Sequence, residues 1–168
     1  PALMQAIGKS NVDEVTRHLL MFQLHAMARP SEASGTRWDE IDFESRTWNI
    51  PANRMKKHRP HVVPLTRQTL GILELMKPIS GHRDFVFPGR NNPRTSRHSQ
   101  SLNVALVRMG FKGKLCSHGL RSIASTMLNE QEGIDRQVVE KALSHVEKSE
   151  TIRAYNRAEY LEQRRRML

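Results

Sequence analysis

The apolar positions of this chain follow helical periods at both ends and short runs between them. Val15, Leu19, Phe22 and Ala26, flanked by Leu20, Leu24 and Met27, cover most of a helix circumference, the pattern of a helix buried in a core. Asn11 with Glu14 three residues on marks its start, after a short helical turn closed by Gly8. Arg29-Pro30 marks its end, because a residue before proline avoids helical backbone. Residues 38–42, 47–51 and 61–65 are short runs separated by polar turns, as expected of a three-stranded antiparallel sheet. The helical period then returns with Leu70, Leu73 and Met76, and again with Leu102, Ala105, Leu106 and Met109; Phe85-Val86-Phe87 reads as a brief strand between them. The most regular stretch is Leu120, Ile123, Ala124, Met127 and Leu128, spaced for one buried helix face. Ile134, Val138, Val139, Ala142 and Leu143 give a further buried helix that breaks at Ser144-His145, and residues 152–168 read as a polar helix containing Arg164-Arg165-Arg166. The expected fold is mainly α with one small three-stranded antiparallel β-sheet.

Length changes this picture little: 168 residues suit one domain, 1–168, and the non-Met start suggests a fragment of a longer protein. No apolar run approaches the roughly 18 residues a membrane helix needs, so no membrane role is expected. The single cysteine, Cys116, excludes an internal disulfide framework and suits a reducing, cytoplasmic setting; it reads as a small half-buried filler.

Charge changes the picture more. The net charge is +10, and it is segregated. Residues 45–128 hold fifteen Lys/Arg against two acids, Glu74 and Asp84, whereas the rest of the chain is slightly acidic. Such separation creates a field that attracts a polyanion, which points to nucleic acid. The cationic turn 54–60 supplies Lys57 and Arg59, and the acid-free loop 88–99 supplies Arg90, Arg94 and Arg97, as expected DNA contacts.

Candidate chemistry centres on Ser117-His118-Gly119-Leu120-Arg121. With Ser117 as N-cap, His118 and Arg121 lie at the first turn of a helix. Arginine there opposes the helix dipole unless an anion binds, and both helix N-termini and arginine attract phosphate. On its own the string is equally compatible with a turn histidine and a surface arginine. Other strings add to it: Ala28-Arg29-Pro30-Ser31-Glu32 leading into Trp38-Asp39-Glu40-Ile41-Asp42; Arg54-Met55-Lys56; Pro60-His61-Val62-Val63-Pro64-Leu65; Leu143-Ser144-His145-Val146-Glu147; and Ala154-Tyr155-Asn156-Arg157-Ala158-Glu159-Tyr160.

With these strings in this order, the chain resembles the catalytic domain of the tyrosine recombinase family, and within it the integrases of temperate and satellite phages, from about residue 12 onward. The family's Arg, Lys, His-x-x-Arg, His or Trp, and Tyr fall here on Arg29, Lys56, His118 and Arg121, His145 and Tyr155. The resemblance implies the tyrosine recombinase catalytic-domain fold and site-specific DNA recombination, integrating and excising a prophage or genomic island. It assigns Tyr155 as the nucleophile that forms a 3′-phosphotyrosyl link. Arg29 and Arg121 would clamp the phosphate, His118 would support the clamp or move protons, and His145 would donate a further hydrogen bond. Lys56 would protonate the departing 5′-oxygen. Arginine suits the clamp because it stays charged and presents paired donors that match phosphate. The covalent link conserves the bond energy, so neither a metal nor another cofactor is expected.

The expected partners are double-stranded DNA attachment sites, with a homotetramer on DNA for the full-length protein and a monomer for this fragment, in the cytoplasm of a bacterial host. Two other readings share part of the pattern: a type IB topoisomerase, with the same chemistry but no exchange of partners, and a non-catalytic DNA-binding module. Among neighbouring residues, Glu32 is expected to orient an arginine or brace a turn, His61 to be structural and Tyr160 to pack. Cys116, His118 and His145 lack the fourth ligand and paired spacing of a zinc site.

Overall fold

The computed structural model describes residues 2–144 and 160–168, and its core forms where the apolar helix predicted by the sequence meets the sheet. Helix α1 spans Ala2–Lys9 and α2 spans Glu14–Ala26. Asp13, not Asn11, caps α2: its carboxylate accepts from the Thr16 backbone N–H at 3.1 Å. The inner face of α2 buries Leu19, Leu20, Phe22 and Ala26. Phe22 lies 5.2 Å from the Trp48 ring and 5.4 Å from Phe87, so one helix residue joins the sheet to the chain beyond it.

A short helix α3 (Pro30–Ser34) follows, then strands β1 (Ile41–Asp42), β2 (Thr47–Ile50) and β3 (His61–Pro64) in the antiparallel order β1-β2-β3. Trp48 pairs with Ile41 on one side and Val63 on the other. Two expectations are corrected here. Trp38–Glu40 forms a 3₁₀ turn instead of the start of a strand, and Phe85 makes only a single bridge to Arg37. The causes are linked: Val86 donates to Thr36 and Trp38 to Asp84, but the chain coils at Trp38 and the ladder cannot extend.

Helix α4 (Arg67–Ser80) packs on α2, and α5 (Gln100–Leu106) runs into a wide turn at Val107–Phe111 that ends its regular bonding near Gly110. Helices α6 (Gly119–Asn129), α7 (Arg136–Ala142) and α8 (Leu161–Met167) complete the described chain. No helix among the described residues is long and apolar enough to cross a membrane. The structure is mainly helical with one small antiparallel sheet, as the periodicity predicts.

The face of α6 is the largest departure. Leu120 and Arg121 are buried and Ala124 and Leu128 half-buried, but Ile123 and Met127 are exposed. At about 100° per residue, positions 120, 121, 124 and 128 share one arc and 123 and 127 lie on its flank. Turning Arg121 inward therefore turns those two side chains out.

Candidate active site

Arg29 stands at the junction of α2 and α3, where Pro30 sets the first helical residue. Its side chain is not free to wander. Glu32, 3 % exposed, accepts from Arg29 Nη1 at 2.7 Å with one oxygen and from the Arg29 backbone N–H at 2.9 Å with the other. The carboxylate thus caps α3 and aims the guanidinium, the orienting role expected of it.

Arg121 comes to the same place from α6. It is 6 % exposed, and its Nη1 donates to the Met27 carbonyl while Nη2 donates to the Leu143 carbonyl at 2.6 Å. Met27 ends α2 with left-handed backbone, φ 49°, and Leu143 ends α7. One guanidinium therefore joins the C-terminal ends of two helices, where dipoles favour a cation. Burial pulls its pKa down to about 10, and the charge of Arg29 pulls the same way, partly offset by Glu32. The two guanidinium groups thus act on one another, and the Glu32 carboxylate offsets part of their charge, leaving an excess of positive charge that a bound anion would relieve.

Lys56 and Lys57 are both exposed at the centre of the turn 55–58, closed by a bond from the His58 N–H to the Met55 carbonyl at 3.0 Å. Buried Met55 fixes one side of this turn, and Arg54 ties it to α3. Arg54 Nη2 donates to the Glu32 carbonyl at 2.7 Å, and Nη1 pairs with the Glu40 carboxylate, which also accepts from Trp48. A Cβ at Gly35 would lie 2.7 Å from Arg54 Nη2, so a side chain there would push the Arg54 guanidinium aside. The Lys56 Cα, two residues beyond Arg54, lies within about 7 Å of the Arg54 Cα along the chain.

His118 is exposed at the position before α6, with helical backbone and no side-chain capping bond. Ser117 does not cap the helix as expected. It is buried, its N–H taken by Asn103 Oδ1 at 2.8 Å and its carbonyl by Gln23 Nε2 at 2.7 Å. Cys116 is exposed, not half-buried, because the chain enters this turn along the surface. His145 and Tyr155 lie outside the described residues. The described ends flanking them are Ser144, whose N–H bonds Lys141, and Tyr160, whose hydroxyl donates to Gln137 Oε1 at 3.1 Å, so both ends rest on α7.

The remaining expected DNA contacts divide. Lys57, Arg59, Arg90 and Arg94 are exposed. Arg97 is 6 % exposed and pairs with Asp13 Oδ1 at 3.0 Å, which fastens the loop to the cap of α2 and takes its charge away from the surface. Sequence reasoning also passed over Arg164, which is fully buried in α8 and donates to the Val62 carbonyl at 2.6 Å, with His61 Nε2 at 3.4 Å.

His61 is structural, and acid should expose the fact. Burial, then the charge of Arg164, pulls its pKa down to about 3, while a bond to the Ala142 backbone opposes them. The unfolded imidazole binds a proton near pH 6.5 and the folded one does not. Its contribution is therefore complete above about pH 6.5 and is lost as pH falls toward 3, by about 1.4 kcal/mol per pH unit. In urea titrations, His61→Gln should be the less stable chain at pH 7.5, and the gap should narrow by about 3 kcal/mol by pH 4.5. A constant gap would place the imidazole in solvent.

The sequence and the fold have known counterparts. The phage integrase family model matches residues 1–162. A prophage integrase of Escherichia coli K12, IntA, is 54 % identical over 168 residues, covering 100 % of this chain and 40 % of the relative. The integrase of Enterobacteria phage P4 is 34 % identical over 169 residues, covering 92 % of this chain and 38 % of its own length. The chain thus spans about two fifths of the curated relatives it matches. Among solved structures, the integrase from mycobacterium phage Brujita superposes with a TM-score of 0.70 at 19 % identity, covering 98 % of this chain and 55 % of that one. The Tn1549 transposon integrase, solved in complex with circular intermediate DNA, gives 0.63 at 14 % identity, covering 93 % and 59 %. Family model and sequence identity agree: the chain belongs to the phage integrase family.

Proposed function

We propose that this chain is the catalytic domain of a site-specific DNA recombinase that cuts and rejoins attachment sites through a phosphotyrosyl intermediate. The observation that carries the reading is the pairing of Arg29, aimed by Glu32, with Arg121, fixed by two helix-terminal carbonyls. Arginines held before substrate arrives need not reorganise as charge grows on the non-bridging phosphate oxygens. Their retained donors suit the planar fork that phosphate recognition requires.

In this reading Tyr155 attacks the phosphodiester, and its oxygen takes the 3′-phosphate while the 5′-oxygen leaves. Lys56, tethered through Arg54 beside α3, gives that oxygen a proton. His118, exposed one turn before Arg121, and His145 add donors to the phosphate. Lys57, Arg59, Arg90 and Arg94 hold the duplex through its phosphates, and Arg97 braces their loop from within. The substrate class is double-stranded DNA, supported by the segregated positive charge and by the DNA-bound Tn1549 relative. Four subunits of the full-length protein would act together in the bacterial cytoplasm to integrate or excise a prophage.

The test is capture of the reaction intermediate. Incubated with a duplex nicked so that the cut fragment diffuses away, the chain should accumulate a covalent protein–DNA adduct that peptide mass spectrometry maps to Tyr155. Binding without any adduct would reduce the chain to a DNA-binding module. Relaxation of supercoiled DNA without strand exchange by the full-length protein would make it a topoisomerase.

A further inference from the structure

Helix α2 holds the 117–121 turn at two points in register. Gln23 Nε2 donates to the Ser117 carbonyl at 2.7 Å; one helical turn later the Met27 carbonyl accepts from Arg121, and both partners lie 94 residues further along the chain. Asn103, from α5, takes the Ser117 N–H. Both backbone groups of the residue before His118 are therefore satisfied by side chains from other helices.

Gln23 is a costly choice for its place. It is fully buried on the inner part of a helix whose neighbours Leu19, Leu20, Phe22 and Ala26 are apolar and buried. An amide taken out of water is unfavourable unless hydrogen-bonded, and apolar packing alone would favour methionine or leucine. Four residues on, Met27 adopts the left-handed conformation that non-glycine residues avoid, and its carbonyl meets Arg121. Two residues further, Arg29 starts α3.

We infer that Gln23 is a positioning residue, which sets the 117–121 turn at one height along α2 and so fixes His118 and Arg121 relative to Arg29. The inference rests on the recombinase reading above. Without the Gln23 bond, the buried Ser117 carbonyl loses its partner and the turn moves to find another. A shift of about 1 Å at a phosphate site can slow chemistry on the order of a hundredfold while leaving most binding intact.

Single-turnover adduct formation at saturating nicked duplex, with Kd measured in parallel, tests this in the 168-residue chain. Gln23→Met keeps the volume and removes the donor. Its adduct rate should fall about 30- to 100-fold while Kd stays within about threefold, because no phosphate contact is lost. Replacing the bridging 5′-oxygen with sulfur should not restore the rate, since the fault is not in the leaving group. Gln23→Glu gives a second, independent reading. A neutral carboxyl can donate to the Ser117 carbonyl and a carboxylate cannot, so this variant should approach the unsubstituted rate at low pH. Relative to the unsubstituted chain it should lose activity as pH rises through the elevated pKa of a buried acid.

An unchanged rate in Gln23→Met, or a Gln23→Glu profile matching the unsubstituted chain, overturns the inference. So does a parallel loss of cooperative unfolding, binding and rate in both variants, which would assign Gln23 to the fold alone. The recombinase reading fails separately: no adduct from the unsubstituted chain removes it and the inference with it.

Discussion

Tyr155→Phe should bind nicked DNA as tightly as the unsubstituted chain and form no covalent adduct. The substitution removes one hydroxyl, and that oxygen is the atom required to attack phosphorus; no residual nucleophile of comparable strength is expected to replace it. Binding should persist because it depends on charge, and the basic side chains of residues 45–128 are untouched. Tyr160→Phe is the matched control. The Tyr160 hydroxyl donates to Gln137 on α7, an exposed hydrogen bond of about 1 kcal/mol or less, and its loss should leave adduct formation in place. Gel-shift titration and denaturing electrophoresis of the same samples separate the two properties. An adduct in Tyr155→Phe, or its loss in Tyr160→Phe alone, would move the nucleophile.

How much of this was legible in the sequence depended on how local each feature is. The α2 core face and the small antiparallel sheet were legible because apolar spacing reports burial directly, and Glu32 was legible because its partner lies three residues away. The inward turn of Arg121 was not. Its partners are carbonyls at Met27 and Leu143, and a carbonyl leaves no mark in the sequence. The same fact explains α6: five apolar residues predict a face, but a buried cation with two fixed acceptors outweighs the packing of Ile123 and Met127.

Arg97 and Arg90 look alike in the sequence, each an arginine in a loop with no nearby acid. Only the fold brings Asp13, already occupied as the cap of α2, against Arg97 and leaves Arg90 outside. Gln23 did leave a signal, a polar residue within an apolar helix, though periodicity counts pass over single exceptions. Arg164 could not be told from its neighbours Arg165 and Arg166 by composition. It differs because α8 lays that one side chain against β3, where it meets Val62 and His61.

Lys56→Ala should cleave ordinary DNA about 10²- to 10⁴-fold more slowly than the unsubstituted chain, the range that a general acid supplies. Lys56 and Lys57 share one exposed turn, and Arg54 anchors the Lys56 side of it to the Glu32 carbonyl. The leaving group separates them. An alkoxide is strongly basic and needs a proton as the P–O bond breaks, whereas a thiolate leaves unaided because thiols ionise near pH 8.5, within reach of neutral conditions. Replacing the bridging 5′-oxygen with sulfur should therefore restore most of the rate to Lys56→Ala. It should not rescue Arg121→Ala, whose loss falls on the non-bridging oxygens and on the two carbonyls that its guanidinium holds. Lys57→Ala should show a modest loss of binding on either substrate, since its charge lies on the surface. Rescue confined to the Lys57 variant would shift the acid one residue along. Failure of sulfur to rescue either would leave His118, exposed beside Arg121, as the source of the proton.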